Sequence, residues 1–320
     1  TRFEKRLWSN KGDGSKIQIV IEQNERKEAE RVVQRLALTA QAVPYNEIAI
    51  FYRTNAQSRP FEDEFLRRRI PYRIIGGISF YHRREVKDIL AYLRMVVSDD
   101  DLISFLRTIN LPKRGIGAAT LEKMAEYAAI RREPIFVVCR SADLKLTPRQ
   151  REGFSSYVAF IDRLRENSRH CKIYELISMI ITESRYLDFL QEDPESEEDR
   201  KQNLEELIGK AAEWEEENTD PSLSKFLEEL TLYTTAEEKV DVPSVNMMTV
   251  HNSKGLEFSS VFLVGMEEEL FPHANSLGNP EALEEERRLC YVGMTRAKQQ
   301  LTLSAALYRN TWTGPRYMRP

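Results

Sequence analysis

Six short runs rich in β-branched and aromatic residues limit the fold of this chain more than any other feature. They lie at residues 17–21, 48–52, 72–75, 245–250, 260–264 and 301–305. Helical patterns alternate with them at 25–38, 59–69, 83–97 and 284–297. Strands and helices alternating at these lengths predict a mainly parallel sheet covered on both faces. The runs fall in two groups, before about residue 95 and after about 243. The stretch between carries almost no alternating β pattern. Amphipathic helical runs replace it at 121–131, 154–165, 173–181, 204–217 and 223–233, punctuated by Pro112, Pro134, Pro148, Pro194 and Pro221. The expected architecture is an α/β domain in two segments, 1–95 and 243–320, interrupted by a mostly α-helical insertion at 96–242.

Composition excludes some classes. The 320 residues carry a formal net charge of only -4, but residues 191–241 hold 18 Asp or Glu against 5 Lys or Arg. That segment is net -13, so the remainder is net +9. A basic remainder beside an acidic segment fits a nucleic-acid binder with one face turned away from the phosphates. The acidic stretches at 193–199 and 214–218 read as solvated helix face and loop. Cys139, Cys171 and Cys290 are odd in number, widely spaced and without a Cys-x-x-Cys. They argue against a disulfide framework or zinc site and for a reducing cytoplasm, and no metal site is expected. No stretch approaches eighteen apolar residues, so no membrane span is expected. The start, Thr1-Arg2-Phe3-Glu4-Lys5, is not a signal peptide, and without an initiator Met it reads as a segment entered mid-protein. The end at Arg319-Pro320 reads the same way.

Three segments carry candidate chemistry. Tyr52-Arg53-Thr54-Asn55 follows a strand directly, and ligands of α/β sheets bind beyond the carboxyl ends of strands. An arginine there can clamp a phosphate through two hydrogen bonds, and a tyrosine can stack on a base. His251-Asn252-Ser253-Lys254-Gly255-Leu256-Glu257 leads from one strand to the next through a polar loop. A lone histidine there is more often a structural hydrogen bonder than a ligand. The third segment, Glu284 to Ala297, is a charged amphipathic helix ending at Thr295-Arg296 just before a strand.

In order, with Gly76-Gly77, Phe80, Arg83-Arg84-Glu85 and Gly265-Met266-Glu267-Glu268 between them, these strings resemble the UvrD/Rep/PcrA-like superfamily 1A DNA helicases over nearly the whole chain. The resemblance implies a RecA-like second motor domain split by an inserted helical domain. It implies the C-terminal half of an ATP-dependent helicase that moves 3′ to 5′ on single-stranded DNA and unwinds duplex. By motif match, Arg53 and Arg296 would reach the γ-phosphate as arginine fingers. Tyr52 would stack on adenine, Glu257 would reach the ribose, and Gly255 would bring the backbone close to the nucleotide. His251 and Arg83 would touch single-stranded DNA. One departure is visible: the family often has glycine after Gly-Met-Glu-Glu, and this chain has Glu269.

Within the insertion, Lys113-Arg114-Gly115-Ile116-Gly117 precedes a helical run. A Gly-x-Gly turn opening a helix can present backbone N–H groups to a phosphate. The resemblance implies that Lys113, Arg114, Gly115 and Gly117 meet the backbone of a duplex junction without regard to sequence. No Gly-x-x-x-x-Gly-Lys-[Ser/Thr] string occurs; the nearest, Gly12-Asp13-Gly14-Ser15-Lys16, has the wrong spacing. The phosphate-binding loop and magnesium carboxylates are therefore expected in an N-terminal motor half. ATP and Mg²⁺ would belong to that full-length parent, with neither bound tightly by this chain alone. The competing reading is a non-catalytic DNA- or protein-docking module.

Overall fold

The computed structural model of the protein describes residues 14–140, 146–190, 197–236, 242–311 and 314–320. The N-terminal pentapeptide, Gly12 and Asp13, and most of the acidic run 193–199 lie outside these residues. The chain order is β1 (Gln18–Asn24), α1 (Glu25–Thr39), β2 (Ile48–Tyr52), α2 (Ser58–Arg68), β3 (Tyr72–Ile74), α3 (Arg84–Val97), α4 (Leu102–Thr108), α5 (Ala118–Arg131) and α6 (Ile135–Arg140). It continues with α7 (Pro148–Asn167), α8 (Ile173–Glu183), α9 (Tyr186–Leu190), α10 (Glu197–Glu217), α11 (Leu223–Ala236), β4 (Val245–Thr249), β5 (Phe258–Leu263), α12 (Pro280–Met294), β6 (Ala297–Thr311) and β7 (Gly314–Tyr317). Short 3-10 turns fill several connections, including Val250–Ser253 after β4.

Two compact units emerge. One comprises Thr1–Gly77, Lys239–Arg309 and Pro315–Pro320; the other comprises Ile78–Glu238 with Asn310–Gly314. The first boundary therefore lies at 77/78 and not at 95. The reason is α3, which was expected in the sheet domain but packs on α4, α7, α8, α10 and α11. Val86, Ile89, Leu90, Ala91, Tyr92, Leu93, Met95 and Val96 are all buried. With Glu85 and Asp88 buried as well, only Arg84, Lys87, Arg94 and Val97 of this helix are not buried, and the helical unit supplies the neighbours that such burial needs.

The first unit is the expected α/β fold. Its strands lie in the order β1-β6-β5-β2-β4-β3, every neighbouring pair parallel, with β7 added on β6. In register, Ala49 lies beside Asn246 and Val261, and Phe258 lies beside Ala297. All five residues of β2 are buried. Ile48, Ile50 and Tyr52 pack with Val32, Val33 and Leu36 of α1 and Phe61 and Phe65 of α2. On the opposite face Ala49 and Phe51 pack with Val261, Leu263 and the inner side of α12. A strand covered twice has no polar face, which is why its sequence reads as one continuous apolar run.

The second unit gathers α3 to α11 around a single apolar core containing Tyr92, Phe105, Phe136, Tyr157 and Phe160. Asp88 of α3 is buried there and accepts from Arg107 Nε and the Tyr186 hydroxyl, both at 2.6 Å. Burial and the Asp88 charge push the Tyr186 phenol well above its ordinary pKa, so it stays a donor. Among the described residues no helix is long and apolar enough to cross a membrane.

Candidate functional site

Parallel strands give the first unit two chemically distinct edges, and the expected site residues divide between them. At the carboxyl edge, β2 runs out into Arg53 and β4 into His251. At the amino edge, Arg296 immediately precedes β6, and its carbonyl accepts from Phe258 N at 2.9 Å. Val264, beyond the far end of β5, donates its N–H to Phe51 O at 3.0 Å. The rise from residue 258 to residue 264 is roughly 20 Å along the strand. Arg53 and Arg296 therefore occupy opposite edges of one sheet.

The carboxyl edge corrects two expectations. Tyr52 is 0% exposed and packed in the α1/α2 core, so it offers no ring face to an adenine. It is the last residue of a doubly covered strand, and its side chain points to a core face. Arg53 is committed to Glu286 of α12. Its Nε lies 3.0 Å from both carboxylate oxygens, and its Nη2 lies 2.7 Å from Oε1. His273 N donates to the same carboxylate at 3.1 Å. Burial would raise the Glu286 pKa, but the hydrogen bonds from Arg53 and His273 outweigh it and hold the carboxyl below its ordinary value. The Arg53 guanidinium thus has its anion already, from within the protein.

His251 is exposed at this edge beside Asn252 and Lys254. Asn252 donates from Nδ2 to Ile75 O and Gly76 O, both at 3.3 Å. A Cβ on Gly76, which has φ +70°, would come within 2.5 Å of that nitrogen. Gly76 thus permits the brace that holds the His251 loop. Partial burial, and then the Arg53 charge, lower the His251 pKa, so the ring is neutral near pH 7.

At the amino edge, Arg296 is partly exposed, and its guanidinium folds onto the loop before β5. Nε donates to Val292 O at 3.0 Å, Nη1 to Leu256 O at 3.3 Å and Nη2 to Thr295 Oγ1 at 3.1 Å. Gly255 and Glu257 flank Leu256, and all three are exposed. Gly255 has φ +86° and open space where a Cβ would stand. An arginine with unspent N–H donors, a carboxylate and an uncrowded backbone segment make a donor and acceptor set that fits the phosphate and ribose of a nucleotide. Among the described residues no group of three or more His, Cys, Asp or Glu is placed to hold a metal ion.

In the second unit, Arg83 is 7% exposed. Its Nη1 donates to Asn203 Oδ1 at 2.6 Å and its Nε to Ile78 O at 3.2 Å, and it lies over the Phe80 ring. It is an internal tether at the start of α3, not a group presented to DNA. Arg114 is half-exposed and has partners within the fold as well. Its Nη1 donates to Thr108 O, Ile109 O and Pro112 O at 2.9–3.3 Å, and its guanidinium lies over Tyr157. It caps the carbonyl end of α4, where a cation is favoured. Asn110 shapes the turn itself, accepting from Arg114 N and Ile116 N at 3.3 Å and donating to Ile116 O at 2.5 Å. Gly115 takes φ +74°, and Gly117 is the N-cap of α5 with no side-chain cap. Lys113, Gly115 and Gly117 are exposed together.

Sequence reasoning missed three contributors. Glu286 was read as helix-face charge because its partner lies 233 positions away. Gln57 is buried and accepts from Arg53 N and Thr54 N at 2.9 and 2.8 Å, ordering the loop after β2. Arg149 of α7 lies so near Gly115 that a Cβ there would sit 2.8 Å from its Nε. Gln57 lies two residues beyond the Tyr52–Asn55 string and Glu286 lies within the Glu284–Ala297 segment, whereas Arg149 carries no local signal.

The chain matches the UvrD-like helicase C-terminal domain family over residues 1–308. It is 39% identical to the ATP-dependent DNA helicase PcrA of Bacillus subtilis (strain 168), with all of this chain and 44% of that protein aligned. It is 38% identical to PcrA of Staphylococcus epidermidis, over 96% of this chain and 43% of that protein. PcrA of Staphylococcus aureus is 35% identical, over 100% and 45%. The chain thus spans less than half the length of these relatives.

Proposed function

Because the chain belongs to the UvrD-like helicase C-terminal domain family, we propose that it works as the C-terminal half of an ATP-dependent DNA helicase that translocates 3′ to 5′ on single-stranded DNA and unwinds duplex. The full-length protein supplies the phosphate-binding loop and the Mg²⁺ carboxylates, as the relatives' greater length allows. ATP hydrolysis provides the driving force. This chain's own residues bind, orient and neutralise charge.

Arg296 is the arginine that faces the γ-phosphate. The observation carrying this is its place at the amino edge, partly exposed, with Gly255 and Glu257 beside the carbonyl it touches. Phosphoryl transfer spreads negative charge over the equatorial oxygens, and a preorganised guanidinium stabilises it without reorganisation. Glu257 accepts from the ribose hydroxyls, and Gly255 lets the backbone approach. His251, exposed at the other edge, meets the single strand through hydrogen bonding or stacking. Lys113 with the Gly115–Gly117 turn grips the duplex backbone. Arg53, Tyr52, Arg83 and Arg114 have structural roles.

The test is Arg296→Ala in the full-length protein. DNA-stimulated turnover should fall on the order of 10³-fold, with nucleotide binding largely kept because the phosphate-binding loop still holds the β-phosphate. A near-normal rate would show that Arg296 does not face the nucleotide.

A further inference from the structure

Helix α12 crosses from one edge of the sheet to the other with few buried anchors. Of its fifteen residues only Glu286 and Gly293 are buried. Gly293 permits close approach, since a Cβ there would lie 3.1 Å from Val250 Cγ1. Leu289, Cys290 and Met294 add half-buried packing. The polar anchor is Glu286, held by three contacts from Arg53 and one from His273 N. Arg53 is fixed in turn, because Gln57 accepts from its backbone N–H and from that of Thr54. The middle of α12 is thereby bolted to the carboxyl edge. Ten residues on, roughly 15 Å along the helix direction, stands Arg296.

We propose that Arg53 and Glu286 are positioning residues for Arg296, their buried two-point ion pair setting the placement of α12 and so of the guanidinium beyond its far end. The inference rests on the reading of Arg296 as the phosphate-facing arginine. A bidentate guanidinium–carboxylate pair fixes orientation as well as distance. A helix moves as a rod, so a shift at Glu286 is carried along α12 to Thr295, its C-cap, which directly precedes Arg296. Displacement by about 1 Å at a reacting centre costs as much as 10²-fold in rate. Loss of Arg53 also leaves Glu286 as a buried unpaired carboxylate, which favours such a shift. The assignment differs in kind from a second arginine finger: Arg53 touches no phosphate, and everything it does passes through Arg296.

A mutant cycle on the DNA-stimulated ATPase of the full-length protein distinguishes the two. Arg53→Ala and Arg53→Lys should each lower kcat by roughly 10- to 100-fold with the KM for ATP nearly unchanged. Lysine keeps the charge but not the two-point geometry, and it also reads the effect if the alanine variant fails to fold. The double variant Arg53→Ala/Arg296→Ala should be no slower than Arg296→Ala alone, since a residue acting only through another has nothing left to lose. The exchange Arg53→Glu/Glu286→Arg should recover part of the rate lost in Arg53→Glu. Multiplying losses in the double variant would overturn the proposal, as would an unchanged kcat in Arg53→Lys or a loss confined to KM. If Arg296→Ala itself turns over normally, the reading of Arg296 fails and this inference with it. If Arg296→Ala is slow but the losses multiply, only the inference fails.

Discussion

Glu269 shows how one backbone angle explains a departure from a family pattern. Its φ is +70°, in the left-handed region that favours glycine, and its side chain is paired with Arg316 on the surface. A non-glycine residue there costs roughly 1–2 kcal/mol, while an exposed ion pair returns about 0–1 kcal/mol. Glu269→Gly should therefore be more stable than Glu269→Ala by about 1 kcal/mol in urea unfolding, since both lose the pair and only alanine keeps the strain. Equal stabilities would mean that the angle is unstrained. Lys113 and Arg114 differ at the same scale, despite being neighbours with the same charge. Lys113→Ala should lower the log–log salt slope of duplex-junction binding by about one unit, for one phosphate. Arg114→Ala should leave that slope unchanged and lower the unfolding midpoint, because its guanidinium serves three carbonyls and a ring. A slope change in Arg114→Ala and none in Lys113→Ala would reverse the assignment.

At the scale of elements, α12 shows what local signals give and what they omit. The helix begins at Pro280, earlier than the expected 284, because Asn279 caps it. Asn279 Oδ1 accepts from Glu281 N at 3.0 Å and Ala282 N at 3.3 Å, with proline in the first turn. That signal was present in the sequence. The reason for a carboxylate at 286 was not, because it is a contact with another element. The Glu286 carboxyl titrates below its unfolded value, so the stability it contributes is complete above the unfolded pKa of about 4.3. It is lost as pH falls through the lower, folded value. The difference in melting temperature between the wild type and Glu286→Gln should thus hold near neutrality and shrink only in acid. A constant difference down to pH 2 would show that the pair is not the source. The short helices α4, α6 and α9 were not expected, since five to seven residues complete too few turns to display a period.

For the whole molecule, the division of work between two sheet edges leads to a statement about the chain in isolation. Arg296 and Glu257, proposed above to meet the phosphate and the ribose, lie at one edge and the exposed His251 loop at the other, with no phosphate-binding string anywhere in the sequence. Phosphoryl transfer depends on positioning and neutralisation from both sides of a cleft. The purified chain should release no phosphate from ATP, with or without DNA. Turnover by a pure sample that survives Arg296→Ala would place the chemistry elsewhere.

The sequence by itself determined the alternation of strand and helix, the interruption by a helical segment and the family, because these rest on local periodicity and on strings of neighbouring residues. It also determined that Arg296 ends a helix just before a strand. Only the tertiary structure decided which partners the arginines take. Arg53, Arg83 and Arg114 carry the same charge as Arg296, and all four find partners inside the fold: Glu286, Asn203, the carbonyl end of α4, and for Arg296 the carbonyls of Val292 and Leu256. Two of the four partner sets lie more than a hundred positions away, beyond any local pattern. The placement of α3 followed the same logic, since the unit in which a helix buried on nearly every side is packed depends on which neighbours surround it.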